Sequence, residues 1–354
     1  MEGGDIGDKA VVQTWRGHLH NPQATAWLEA QESLGLAPRT LHAYARGVAD
    51  FLALCSRDGV DPLTANRSDV ARYVRDLTQR PHHRGDNVIS IDSGVGLANA
   101  TIQQRLVAVR LLYDHLIEDG VRELNPVGRG RYTPGKAYGG QQDKGLLPRF
   151  HRLPWIPTDE QWRSLLDVAR DESIRNRFML GLAYDAGLRR EELCLLQTDD
   201  IDPAHRTIRV RVETTKNRLA RVVPYSAVSG ALFVAYTAHR RELSSARGPL
   251  FISESRRNRA EAITPWTWSK VVRRLALRAG LPQFSTHTLR HLCLTDLARA
   301  GWEIHAIAQF AGHRNTVTTQ QYIHLSGREL ALKLDRAMAG IHGRRLRDLA
   351  DTLT

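Results

Sequence analysis

Cysteine is scarce in this chain: three in 354 residues, Cys55, Cys194 and Cys293. They stand far apart, and each falls inside an apolar helical pattern. That argues against a disulfide framework or a cysteine-rich zinc site and for buried, reduced thiols. Long apolar runs are missing too. No stretch approaches the roughly 20 residues that a membrane-spanning helix needs. The opening MEGGDIGDK has neither the charged nor the apolar part of a secretory signal. The expectation is a cytoplasmic protein with no membrane partner. No G-x-x-x-x-G-K-[ST] phosphate loop occurs, so ATP use is unsupported, and no repeat or low-complexity tract is visible.

Positive charge is abundant. Lys and Arg number 50 against 38 Asp and Glu, a formal charge of +12. Such a field attracts polyanions, and the planar arginine fork suits phosphate, so nucleic acid is the leading partner. At this length two domains are the natural expectation, each able to bury a core.

Residues 1–21 show no sustained period and read as a loose arm. From 22 to 132 the period is helical. Leu41, Tyr44, Val48, Phe51, Leu52 and Cys55 form one stripe; RSDVARYVRDLTQ follows, with Ser68 able to cap. In a third helix Ile102, Leu106, Val109, Tyr113 and Leu116 share a face that Gly120 ends. Between the second and third helices, RPHHRGDNVISIDSGVG reads as a long loop. Residues 133–157 mix glycine, proline and basic residues without a period, as a linker does; it is either a solvated tether or a segment lying along phosphates.

A second domain, 158–338, opens on the capping-box pair Thr158 and Gln161, with Trp162, Leu165, Leu166 and Ala169 as its buried face. A long apolar helix closed by Gly187 follows. The period then changes to two alternating strands, Thr207 to Val212 and Ala220 to Tyr225, with Lys216 in the turn between them. Helices resume at Thr264, a cap followed by Pro265. Residues 339–354 are a tail.

Four signals in this half carry chemistry: Arg189 in AGLRREEL, Lys216 in TTKNRLARVVP, His287 with Arg290 in HTLRH, and His313 with Tyr322 in AGHRNTVTTQQY. His287 and His291 have the i, i+4 spacing of zinc helices. The glutamate expected between them is absent and no third ligand is indicated, so no metal is expected.

In this order the four signals resemble the tyrosine recombinases, the phage integrase and Xer-type family. The resemblance covers about residues 155–335 and, more loosely, the helical half. It implies a mainly α fold with a small β-sheet: an all-helical SAM-like core-binding domain plus a tyrosine-recombinase catalytic domain. It makes Arg189 and Arg290 the phosphate-gripping arginines, Lys216 a mobile general acid, and His287 and His313 the active-site histidines. Tyr322 becomes the nucleophile, and Glu192 a supporting residue that orients a catalytic side chain. The family commonly shows LGH where this chain has FAGH, with Ala311 at a packing position.

The implied activity is site-specific cutting and rejoining of DNA through a 3′-phosphotyrosine, with no cofactor. Thr318 with Gln321 could cap a helix that carries Tyr322 in its first turn or so, where the positive dipole end favours a phenolate. The implied partners are double-stranded DNA, further copies of the chain in a tetramer on two duplexes, and accessory proteins. The cell compartment would be the bacterial cytoplasm, at the nucleoid. The long loop and the arginine content lean toward a mobile-element integrase or transposase. A type IB topoisomerase and a non-catalytic DNA-binding factor on the same fold are the alternatives. Beyond the tyrosine, Leu330, Leu334, Ala337 and Ile341 make a stripe that packs either on its own domain or on a neighbouring subunit.

Overall fold

In a computed structural model of the chain, the residues described are 19, 21–80, 96–127, 154–215, 218–320 and 322, with 334, 335, 338 and 341. The chain divides into two compact units, Met1–His151 and Arg152–Thr354. Among the described residues no helix is long and apolar enough to cross a membrane. Residues 1–18 and 20 of the expected arm, 81–95 of the long loop, 133–153 of the expected linker, Gln321 and the residues directly after Tyr322, and Leu330 and Ala337 of the tail stripe lie outside the described residues, as does Lys216.

The first unit is helical, as its period requires: α1 Pro22–Ser33, α2 Pro38–Arg57, α3 Arg67–Gln79 and α4 Asn99–Glu118. Proline at the first position starts α1 and α2, where a missing N–H costs nothing. The α3 cap is a correction. Asn66, not Ser68, stands at the N-cap, its Oδ1 accepting from the Ser68 N–H at 2.8 Å while Asp69 accepts from the Asn66 N–H at 2.7 Å. Leu41, Val48, Phe51, Ile102, Leu106 and Tyr113 are buried in its core. Phe51 meets Tyr73 and Tyr113 edge-on, at 5.3 and 6.1 Å between ring centres. At the rim of this core Asp50 accepts from the Tyr73 hydroxyl at 2.9 Å and from Arg80 at 2.6 Å, and pairs with Arg105. Arg57 and Arg80 share Asp76, and Arg57 also reaches Asp58 at 3.2 Å.

The second unit is built on α6, Ile174–Asp185, which buries Phe178, Met179, Leu180, Leu182 and Ala183 on successive sides. Around it lie α5 Asp159–Ala169, α7 Arg190–Cys194, α8 Ala227–Leu243, α9 Pro265–Arg278 and α10 Thr286–Arg299. The Thr158–Gln161 capping box forms at 3.0 and 3.3 Å. Leu166 is exposed rather than part of the buried face, which Leu165 and Ala169 provide. Among the described residues the sheet has three antiparallel strands, not two: β1 Ile201–Asp202, β2 Thr207–Val210 and β3 Arg221–Pro224. Val212 belongs to a short helical turn instead of the strand. Ile208 pairs with Val223 and Val210 with Arg221. Period-two alternation therefore turns Arg221 toward the side on which Val223 is buried. The helices α11 Ile304–Ala311 and α12 Val317–Gln320 complete the unit. Cys55, Cys194 and Cys293 are buried and free. Burial pushes their thiols up, to about 11, 12 and 12 respectively.

Candidate active site

Two left-handed glycines shape the site. Gly187, at φ +55°, turns the chain out of α6, and a Cβ there would meet Phe310 at 3.0 Å. Arg189 follows at the N-cap of α7. Its N–H donates to Glu192 Oε2 at 2.9 Å, while its Nη1 donates to Oε1 at 2.7 Å. Glu192 thus satisfies an orphan helix-start donor and fixes the guanidinium at once.

The same carboxylate receives a second arginine. Arg221 donates from Nη2 to Oε2 at 2.7 Å and from Nη1 to Oε1 at 3.1 Å, a fork on a fork, and its Nε reaches the Phe310 carbonyl at 2.9 Å. Burial pushes the Glu192 carboxyl up, but Arg221 and then Arg189 outweigh it and hold the group at about 2. Its role toward Arg221 was not legible from the sequence, because that partner sits 29 residues away on a different element.

Arg290 comes from α10 and is only 3% exposed. Its Nη1 donates to the Gly187 carbonyl at 2.5 Å and its Nη2 to the Ala311 carbonyl at 2.5 Å, so the left-handed turn is itself an acceptor. Nη2 also lies 3.0 Å from His313 Nε2. Arginine has only donors, so Nε2 must be the acceptor. The His313 proton is then on Nδ1, which donates to Thr319 Oγ1 at 2.9 Å. Burial, followed by the cations Arg290, Arg189 and Arg221, pushes His313 down to about 4, in keeping with a neutral ring. The same desolvation, with Arg189 and Arg221 beside it, lowers Arg290 to about 10.

Gly312, at φ +65°, ends α11 and sends the chain toward Tyr322; a Cβ there would lie 2.9 Å from Arg221 Nη1. Here the expectation for Tyr322 is corrected. Thr318 lies inside α12, its N–H bonded to the Asn315 carbonyl at 3.2 Å, and so stands within a helix rather than at its cap. Asn315 serves the start of α12, its Oδ1 accepting from the Val317 N–H at 2.9 Å. Tyr322 sits in the turn that follows, its N–H donating to the Thr319 carbonyl at 3.0 Å. Thr319, fully buried, therefore ties His313 and Tyr322 together.

Tyr322 is 5% exposed. Its ring lies parallel to that of His313, within 9° at 6.3 Å. Its hydroxyl is 2.8 Å from Nδ1 of His291, and the two rings are 5.5 Å apart. His287 is exposed and stands 6.1 Å from His291, one ring further from the tyrosine. The structure thus brings Arg189, Glu192, Arg290, His313 and Tyr322 into one cluster, with His287 at its edge. Arg221 and His291 join them unforeseen. Both had a signal, an arginine at an inward strand position and a histidine one turn after His287. Among the described residues no group of three or more metal-ligating side chains forms.

Residues 157–329 match the model of the phage integrase family. Tyrosine recombinase XerC of Azotobacter vinelandii is 29% identical over 305 residues, covering 85% of this chain and 90% of that protein. Tyrosine recombinase XerD of Mycobacterium leprae is 27% identical over 312 residues, covering 80% and 92%. Among solved structures, the Tn1549 transposon integrase in complex with a circular intermediate DNA has the same fold, with a TM-score of 0.63 at 16% identity over 89% of this chain and 99% of that one. The XerH recombinase bound to palindromic difH substrate gives 0.62 at 17%, over 83% and 79%. A basic chain whose arginines gather at a buried carboxylate beside a paired histidine and tyrosine, and whose relatives bear these names, belongs to the tyrosine recombinase, or phage integrase, family and is an enzyme of the site-specific recombinase class.

Proposed function

We propose that this enzyme cuts and rejoins double-stranded DNA at specific sites, with Tyr322 as nucleophile and a 3′-phosphotyrosine as intermediate. The observation that carries the reading is the meeting of Arg189, Arg290, His313 and Tyr322 from three separate stretches of chain: Arg189 is held by buried Glu192 and reaches the Gly312 carbonyl, Arg290 pairs with His313, and the Tyr322 ring lies parallel to the His313 ring. Charge gathers on the phosphoryl oxygens as a strand breaks, and fixed cations meet it best where water is excluded. Arg189 and Arg290 supply them, and Glu192 holds the first in place. A phosphate oxygen that takes the Arg290 Nη2 proton competes with His313 Nε2 for it. The anion also raises the proton affinity of His313, which then becomes a donor to the same phosphate. Lys216, which falls in sequence between the residues of β2 and β3, protonates the departing 5′ oxygen, with His287 a further basic group at the rim. Covalent capture stores the phosphodiester until a second 5′ hydroxyl attacks it. No metal or cofactor enters these steps.

The assembly in this reading is a tetramer on two duplexes in the bacterial cytoplasm, with accessory proteins as further partners. The fold shared with a transposon integrase supports a mobile-element enzyme, as does the long 81–98 insertion in the sequence. Relatives named XerC and XerD, matched over most of their length, support a chromosomal resolvase as the second reading. Attachment sites or terminal repeats beside the gene identify the first; their absence, with recombination at a chromosomal site, identifies the second. For the chemistry, incubation with a nicked duplex should leave an SDS-resistant protein–DNA adduct that Tyr322→Phe abolishes. An adduct retained by Tyr322→Phe refutes the nucleophile. Relaxation of any supercoiled plasmid by monomers indicates a topoisomerase instead.

A further inference from the structure

Among the described residues three histidines lie near the tyrosine, and they are not equivalent. Both nitrogens of His313 are engaged, Nε2 by Arg290 and Nδ1 by Thr319, so that ring has no lone pair left for a phenolic proton. His287 is exposed, with the His291 ring lying next to it. His291 alone of the three has a nitrogen at hydrogen-bond distance from the Tyr322 hydroxyl, Nδ1 at 2.8 Å. We propose that His291 is the catalytic base: its Nδ1 orients the Tyr322 hydroxyl and takes its proton during attack on DNA. This rests on the reading of Tyr322 as nucleophile.

The step balances. The Tyr322 Oη–P bond forms as the P–O5′ bond breaks, the Oη proton passes to His291 Nδ1, and the 5′ oxygen takes a proton from Lys216. On rejoining, the proton returns from Nδ1 to Oη. The environment suits an acceptor that works only on a filled site. Burial, then His287 and Arg290, hold His291 at about 4, so at neutral pH the ring is uncharged and its Nδ1 can accept. A phosphodiester anion arriving beside these cations raises the proton affinity of the ring at the moment the proton must move.

The test uses the full-length enzyme and a pool of nicked duplexes randomised across the cleavage region, read as covalent adduct in single turnover. His291→Asn keeps an acceptor near the Nδ1 position but removes the base. Adduct formation should fall about 100-fold, in the range of a general base, with DNA retention in gel shifts unchanged. Installing 3,5-difluorotyrosine at 322, a more acidic phenol, should bring the His291→Asn rate to within about 10-fold of wild type. A 5′-bridging phosphorothiolate, whose leaving group needs no proton, should rescue Lys216→Ala but not His291→Asn. A His291→Asn rate within about threefold of wild type overturns the proposal, as does absent rescue by difluorotyrosine or rescue by phosphorothiolate. A DNA-free arm stands beside these: in the free enzyme, Tyr322→Phe should shift the His291 Nδ1 resonance in ¹⁵N NMR, and an unmoved resonance overturns the contact. Adduct formation by Tyr322→Phe with His291 intact would defeat the nucleophile reading instead, so the two failures are distinguishable.

Discussion

Each unit of this enzyme gathers arginines around a carboxylate, and the two clusters balance differently. In the helical unit Arg57, Arg80 and Arg105 meet Asp50, Asp58 and Asp76, three cations to three anions. In the catalytic unit Arg189, Arg221 and Arg290 surround Glu192. Three against one leaves two positive charges among the described residues, and Arg290 spends its donors on neutral carbonyls and a neutral imidazole. A protein gains no stability from such an excess; burial of unneutralised charge costs free energy. The balanced cluster holds helices together, whereas the unbalanced one is shaped for an anion that the free chain lacks.

The sharpest way to break this comparison is to remove the surplus. Arg290→Gln should slow covalent cleavage about 10³-fold, about 4 kcal/mol of transition-state stabilisation, because a fixed cation at the phosphoryl oxygens is lost. Arg105→Gln, on the balanced cluster, should leave single-turnover cleavage of bound DNA within about threefold. Equal losses would show that the two clusters do not differ in kind.

Stability should follow next, and with the opposite emphasis on the acids. Glu192 is 1% exposed, and Glu192→Gln leaves two forked guanidiniums without their counter-charge; about 3 kcal/mol of unfolding free energy should be lost in urea titration. Asp50→Asn sits at the rim, where solvent screens and Tyr73 still finds an acceptor, and about 1 kcal/mol is expected.

The smallest effect is a pH window. His291 and His313 are held at about 4, below the 6.5 of the unfolded chain. Between those values the unfolded chain binds protons that the folded site refuses. The catalytic unit should therefore lose stability as pH falls from about 6.5 toward 4. In the helical unit, burial raises the Asp76 carboxyl but Arg80 and Arg57 outweigh it and leave it below 3.8, so this contribution is lost only at lower pH. Calorimetry at pH 5 against pH 7 should show the catalytic transition moving down by a few degrees while the helical one holds. Joint movement of both transitions would erase the distinction.

Much of this arrangement was readable from spacing. The Leu41 to Cys55 stripe, the Thr158 capping box and the Thr264–Pro265 start are local, decided within one or two turns of chain. The errors were local as well, where two polar residues compete for one helix start: Asn66 displaces Ser68, and Asn315 takes the role expected of Thr318. What spacing could not supply were long-range partners. Arg221 finds Glu192 across 29 positions and His291 finds Tyr322 across 31, because hydrogen bonds between elements depend on packing. The i, i+4 spacing of His287 and His291 suits a metal geometry, while the contact that His291 makes is to the phenol.

The tight fit of Gly312 against Arg221 has an evolutionary corollary. Any side chain at 312 must push the guanidinium aside, so inheritance should treat the two sites as a couple. Lineages with a shorter residue at 221 should gain room for asparagine at 312, which tolerates the left-handed turn. Lineages that keep the arginine should be confined to glycine.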